Sequence, residues 1–417
     1  MVRAAPLPPP TPGREKGKVE RVRKQIPSSC SRRSFFRRSL IAGLAVPTGI
    51  QFSISGCNKR RALRLEFLTI PDPDGWHPSL RLKGDWLVFK ISDGIHAGYG
   101  EASHSKQDGQ CRKAAERLFK ERIVSFHPTL ESLKLLEEDV LSTEPDFVTA
   151  TAWSGINQAL YELLAKREQV PVWKLFRDKA GLDRLPLYTT INRALKKRSN
   201  EEYLELVGKV ESQGFQIFKC APFEKVVDPD STMETSLAGL ETLKVLRNEF
   251  PEIGIRVDFH ERFSPESFFK LLPELEAVKL DWIEEPFGMG EAYTELQTRT
   301  KLRVAGGELF WGNKIFRNIM ENRWVHVIMP DVKHVGGFGP LLNVLEMGKG
   351  QIEISPHNPS GPISSAASLH AAALYPESVR SLEFAFDRAG SRKAYGERVE
   401  NGYLYLNEKP GWGIEVE

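Results

Sequence analysis

What this sequence lacks above all is a long uninterrupted apolar run. The best candidate, residues 40–54, is broken at Pro47 and Gly49 and is too short for a bilayer-spanning helix. No later stretch comes closer, so a helical membrane protein is not expected. Cysteine is also scarce, with four in 417 residues. Cys30 and Cys57 fall near the N-terminus, and Cys111 and Cys220 sit in unrelated contexts, so no disulfide framework is expected. Excess basic charge is missing from most of the chain. The net charge of +3 misleads, because residues 1–57 hold 11 of the 58 Lys and Arg but only 2 of the 55 Asp and Glu. Beyond residue 57 the chain is net −6, a mildly acidic body that argues against nucleic acid as a partner. Its 41% apolar content suffices for two or three domains with real cores.

The basic N-terminus has a logic of its own. "SRRSFF", residues 31–36, precedes the modest apolar run, and small residues then lead to Cys57. That is the layout of a secretory signal. Arg32 and Arg33 resemble the motif of the twin-arginine export route, and "ISGC" resembles a lipobox in which Cys57 would carry a lipid. The expectation is an export leader over residues 1–57 and a periplasmic protein or membrane-anchored lipoprotein.

Residues 63–103 alternate as β-strands, with Asp93-Gly94 as a hairpin turn. Residues 107–168 carry helical spacing. Together, residues 58–186 read as an α+β domain. From residue 187 to 386 short strands and helices alternate: "PLYTTIN", "FQIFKCAPF", "IGIRVDFH", "LDWIEEPF", "LRVAGGELF", "VHVIMPDV", "IEISPHN" and "RSLEFAF" are the strands. Such alternation demands a parallel sheet, and eight units suggest a closed (β/α)8-type barrel. Residues 387–417 read as strands and turns that return to the first domain.

Each late barrel strand ends in a polar residue foreign to a core: Asp258, Glu284, Glu308, Asp331, His357 and Glu383. Their intervals of 26, 24, 23, 26 and 26 residues match one strand–helix unit each. The C-terminal ends of barrel strands converge on one mouth, so the six should ring one pocket. His260 lies two residues after Asp258, and strand alternation turns both to the same side. Asp258, Glu284 and Glu308 come from consecutive strands. Three carboxylates facing one point repel each other unless a cation joins them, and an all-oxygen donor set favours one hard ion, Mg²⁺ first and Mn²⁺ next. Alternation sets Glu285 on the face opposite Glu284.

The segments "VDFH", "WIEEP", "AGGE", "PDVKHVGG" and "SPHNPSGP" resemble the barrel motifs of the enolase superfamily, mandelate racemase/muconate lactonizing enzyme subgroup. They are most similar to acid-sugar dehydratases of the D-galactonate type. "DGIHAGYGEA" and "PGWGIEV" resemble that family's capping domain and C-terminus. The resemblance implies an enolase-like barrel with an N-terminal α+β capping domain, completed by the C-terminal segment, and commonly a homo-oligomer. It implies a Mg²⁺ enzyme that removes the proton α to a carboxylate of a small-molecule sugar acid. The enediolate formed then loses the 3-hydroxyl to give a 2-keto-3-deoxy acid. By the same resemblance His357 is the base, Asp331 orients it, and His260 is the acid that protonates the leaving hydroxyl. Lys219 adds positive charge at the substrate carboxylate, and Glu383 matches a family carboxylate.

One departure narrows the choice. Lysine-based racemases of the family carry Lys-x-Lys on the second strand, whereas this chain reads Lys219-Cys220-Ala221. A lysine-based racemase is disfavoured. A racemase or epimerase using the two histidines, and an exported sugar-acid binding lipoprotein without turnover, are the alternatives. His334, Gly336 and Gly337 read as structural, Asn192 as a barrel polar group or a substrate contact. Segments 70–85 and 104–108 are expected to set specificity.

Overall fold

Asp93 folds the N-terminal strands onto one another: its Oδ1 accepts the Ile95 and His96 N–H groups at 2.8 and 2.7 Å. The computed structural model describes residues 62–71, 85–104, 106–143, 145–230, 233–387 and 390–416. The expected leader, with Arg32, Arg33 and Cys57, lies outside them, as does most of the segment 70–85. Strands β1 (Arg64–Ile70), β2 (Trp86–Ser92) and β3 (Ala97–Glu101) form an antiparallel sheet in sequence order. Helices α1 (Asp108–Leu118), α2 (Leu130–Ser142) and α3 (Phe147–Arg167) follow. The long helix α3 packs on β3. Gly98 and Gly100 permit this approach, because a Cβ at either would fall about 2 Å from a carbonyl oxygen of α3.

The barrel strands are β4 (Arg184–Thr190), β5 (Ile217–Cys220), β6 (Gly254–Asp258), β7 (Trp282–Glu284), β8 (Arg303–Gly306), β9 (Val327–Ile328), β10 (Glu353–Ile354) and β11 (Leu382–Ala385). They run parallel in sequence order, and β11 pairs with β4. The ring closes between β10 and β11 through the Ile354–Val379 bridge and the Glu383 N–H donated to Pro356 O at 3.2 Å. Seven helices fill the crossovers: α4 (Asn200–Ser212), α5 (Met233–Glu249), α6 (Pro265–Val278), α7 (Ala292–Arg299), α8 (Asn313–Asn322), α9 (Phe338–Gly348) and α10 (Pro362–Leu374). After β11 the described residues contain no eighth α-helix. A 3₁₀ turn, Ser391–Tyr395, and the hairpin β12 (Val399–Glu400) and β13 (Tyr403–Tyr405) stand in its place.

Period 2 on the strands layers the barrel interior. Two residues below Asp258, Glu284 and Lys219 sit Arg256, Trp282 and Ile217. The Arg256 guanidinium stacks 3.5 Å from the Trp282 ring centroid and 4.2 Å from that of Tyr188. With Ala305, Val327 and Met329 this layer plugs the barrel beneath its mouth.

The C-terminal segment serves both parts. β13 pairs antiparallel with β4 at the foot of the barrel. Beyond it, Trp412 donates its backbone N–H to Glu162 of α3 and its indole N–H to Tyr99 O of β3, both at 3.0 Å. Cys111 and Cys220 are buried free thiols. No helix among the described residues is long and apolar enough to cross a membrane.

Candidate active site

The strand ends of the barrel and the edge of the cap domain enclose a cavity of about 300 Å³. Of the residues expected there, Lys219, Asp258, His260, Glu308, His357 and Glu383 line it, with Asn192 and His334. Glu284 and Asp331 lie directly behind the lining, each fully buried. Lys219, Asp258, Glu284 and Glu383 lie within their strands; Glu308, Asp331 and His357 stand two or three residues beyond theirs.

Asp258, Glu284 and Glu308 each present a carboxylate oxygen, all within 4.8 Å of one another and all buried. Asp258 and Glu284 are register partners on neighbouring strands. Below them the Trp282 indole N–H donates to Glu284 Oε2 at 3.1 Å. Lys219 Nζ pairs with Glu284, and lies 3.1 Å from Glu383 Oε1 and 3.7 Å from Asp258 Oδ2. This one ammonium does not balance the anions. Burial raises the Glu284 carboxyl well above its ordinary range; Lys219 pulls it down, and Asp258, Glu308 and Glu383 push it up again. Unrelieved crowding of buried carboxylates is what a hard divalent cation corrects. The donor set therefore fits such an ion.

Two histidines flank the triad. His357 Nδ1 lies 2.8 Å from Asp331 Oδ2, and its Nε2 lies 3.0 Å from Glu308 Oε2. Burial opposes a charge on the ring, but Glu308, Glu383 and Asp331 outweigh it and hold His357 well above the ordinary histidine range. Asp331 itself is kept below the carboxylate range: burial is overcome by Lys333, His334 and His357. The backbone N–H of Lys333 donates to Asp331 Oδ1 at 2.7 Å and fixes the carboxylate's orientation.

His260 sits on the other side. Its Nε2 lies 3.0 Å from Asp258 Oδ2, and its side chain is 36% exposed at the rim. It faces the mouth for a reason other than strand alternation. β6 ends at Asp258, and His260 takes φ 50, with its N–H returned to Asp258 Oδ1 at 2.9 Å. Desolvation lowers its pKa and the Asp258 carboxylate raises it, and the carboxylate prevails. Glu285 turns away from the triad. It accepts the Gly307 and Glu308 N–H groups at 2.7 and 3.3 Å and so anchors the turn that carries Glu308.

The sequence does not single out the rest of the lining: Ser103, His104 and Phe147 from the cap domain, and Thr190, Arg193, Leu309, Lys333 and Pro359 from the barrel. Two signals were present. His104 opens the segment 104–108, and Lys333 lies inside "PDVKHVGG". Phe147 begins a helix and bears no mark. His334 is held by Thr151 Oγ1 at 2.9 Å and packs at a tilt against Phe147, ring centroids 4.8 Å apart, and burial pushes its pKa down to about 3.

The sequence profile of the family described as Enolase C-terminal domain-like matches residues 202–417. The chain is 26% identical over 287 residues to the D-galactonate dehydratase of Cronobacter sakazakii (strain ATCC BAA-894), covering 65% of this chain and 72% of that protein. It is 27% identical over 290 residues to the D-galactonate dehydratase of Klebsiella pneumoniae (strain 342), with the same coverage. Among solved structures, a mandelate racemase/muconate lactonizing enzyme-like protein from Rubrobacter xylanophilus DSM 9941 superposes with a TM-score of 0.75 at 22% identity, covering 86% of this chain and 95% of that one. A mandelate racemase/muconate lactonizing enzyme from Sulfitobacter sp. gives 0.76 at 21% identity, covering 86% and 93%. With profile, fold and the buried acidic triad in agreement, the chain belongs to the enolase superfamily, in its mandelate racemase/muconate lactonizing enzyme subgroup, and is an enzyme.

Proposed function

We propose that this enzyme is a hydro-lyase that dehydrates a sugar acid of the aldonate class to a 2-keto-3-deoxy acid. The observation that carries the reading is the pair of histidines, one against each outer carboxylate of the triad and one of them backed by a buried aspartate. The curated relatives, distant as they are, support the substrate class.

Asp258, Glu284 and Glu308 would hold one Mg²⁺. When bound, that ion supplies a Lewis acid for the substrate carboxylate, whose α-proton is otherwise very weakly acidic. With a cation held by Glu308, the carboxylate charge that favours the imidazolium would be offset; His357 Nε2, then neutral, takes the α-proton, with Asp331 holding the ring through Nδ1 and stabilising the imidazolium that forms. Lys219 adds positive charge near the substrate carboxylate, on which negative charge gathers as the enediolate forms. His260, whose Nε2 lies 3.0 Å from Asp258 Oδ2, gives its proton to the 3-hydroxyl as the C3–O bond breaks. Water leaves, and the resulting enol becomes the 2-keto acid.

The test is a screen of the protein with Mg²⁺ against aldonates and related acid sugars, D-galactonate among them, for release of 2-keto acids. A set of acids none of which is dehydrated would remove the reading. A second reading, epimerisation, has one observation in its favour: histidines on two sides of the site suit two opposite-face bases. Uptake of solvent deuterium at the α-carbon with inverted configuration, and no loss of water, would establish it.

A further inference from the structure

Like α7 and α8, the barrel helices α9 and α10 begin without side-chain caps of their own. α9 starts after Gly337 and α10 after Gly361, and neither glycine has a side chain to meet the free N–H groups of the first turn. The cap domain supplies the acceptors. Asn157 Oδ1, on α3, accepts the Phe338 and Gly339 N–H groups at 2.7 and 3.3 Å. Glu101, the last residue of β3, accepts Gly361 N–H at 2.8 Å through Oε1 and Ser364 N–H at 3.2 Å through Oε2. One turn back on α3, Ser154 Oγ accepts Gly336 N–H at 3.0 Å. The fit is close: a Cβ on Gly337 would lie 2.4 Å from Asn157 Oδ1, and one on Gly361 would lie 2.7 Å from Glu101 Oε2.

These bonds converge on two turns. Residues 331–339 carry Asp331, and residues 357–364 carry His357. None of them reaches the turns after β6, β7 and β8, which carry the metal triad. A buried carboxylate and a buried amide, each with two donors satisfied, are rigid anchors.

We propose that Glu101 and Asn157 are positioning residues for the Asp331–His357 pair, so that the cap domain sets the geometry of the base while the barrel alone sets the metal site. The proposal rests on the reading of His357 as the base. A displacement of about 1 Å at a reacting group can cost about 10²-fold in rate, so loosened turns should be visible in turnover.

The test uses Glu101→Gln and Asn157→Ala in the whole protein, with three readouts. Mg²⁺ affinity by calorimetry should match wild type. Deuterium uptake should rise in peptides spanning 358–366 for Glu101→Gln and 332–340 for Asn157→Ala. On an acid sugar that wild type turns over, kcat should fall about 10²-fold with KM little changed. Loss of Mg²⁺ affinity in step with kcat would make the two residues general supports of the fold and overturn the proposal. Loosened turns with kcat intact, or no change in any readout, would overturn it as well. If either variant does not fold, Ser154→Ala removes a single bond to Gly336 and should give the same pattern on a smaller scale; a wild-type profile there counts against the proposal. If wild type turns over no acid sugar, the functional reading fails, and the positioning claim stands or falls on deuterium uptake at the two turns.

Discussion

His357 and His260 are the same side chain in opposite settings. His357 is buried, and Asp331 behind it is fully so. His260 sits at the rim on a left-handed residue, held by one carboxylate. A fixed, shielded imidazole suits a base that must be aimed, and an accessible one suits an acid whose proton leaves with water. The carboxylates between them were legible in the sequence because a buried charge needs a partner, and the same burial at the same interval on three strands leaves few explanations. His260 reached its expected place by a backbone conformation that strand periodicity does not express. Glu284→Gln should weaken Mg²⁺ binding by at least about 10²-fold, since changes beyond the ligands themselves already cost 10–100-fold. Calorimetry on the metal-depleted protein measures this, and unchanged affinity would remove Glu284 from the ligand set.

Helix α3 shows what the sequence concealed at the scale of the element. Its apolar residues at helical spacing announce a helix, but 17 of its 21 residues are buried, and Thr151, Ser154, Asn157 and Gln158 make a polar stripe within them. Thr151, Ser154 and Asn157 meet the 331–339 turn some 180 residues away, and Gln158 meets Glu101 57 residues away, so no local pattern marks them. Glu137 of α2 completes the arrangement, accepting the Asn157 amide at 2.7 Å and the Tyr161 hydroxyl at 2.9 Å. Burial pushes its pKa up to about 7, against the pull of those two hydrogen bonds. A carboxyl with a raised folded-state pKa contributes stability that is complete below its ordinary value and lost as pH rises through the raised one. Glu137→Gln keeps an acceptor for both donors and removes the titration. The unfolding free energy of the variant relative to wild type should therefore rise by up to about 3 kcal/mol from about pH 4 to about pH 8. Denaturant titrations across that range measure it, and a flat difference would contradict the shift.

For the whole molecule, eight strands in regular alternation with helices made the barrel legible, because a parallel sheet needs a crossover after every strand. The missing eighth helix was not legible, since the 3₁₀ turn and hairpin that replace it have the same mixed composition as a short helix and loop. Nor was the double duty of the C-terminal segment, whose hairpin and Trp412 serve different domains. The leader's basic and small-residue pattern stands on sequence alone. We propose export by the twin-arginine route with lipid attachment at Cys57. Changing Arg32 and Arg33 together to Lys should retain the precursor in the cytoplasm, and Cys57→Ala should release the protein from membranes. Unchanged fractionation of either variant would remove the corresponding part of the proposal.

The central claim is that His357 takes the α-proton and His260 then assists loss of the 3-hydroxyl. One NMR measurement in deuterated buffer with Mg²⁺ follows both events on the same acid sugar: deuterium entering the α-position and 2-keto acid appearing. His357→Asn should abolish both, a loss of about 10²–10⁴-fold or more. His260→Asn should retain α-exchange while product formation collapses, with Mg²⁺ affinity checked because His260 touches Asp258. Exchange that survives in His357→Asn and vanishes in His260→Asn would contradict the account and place the base on the other side of the site.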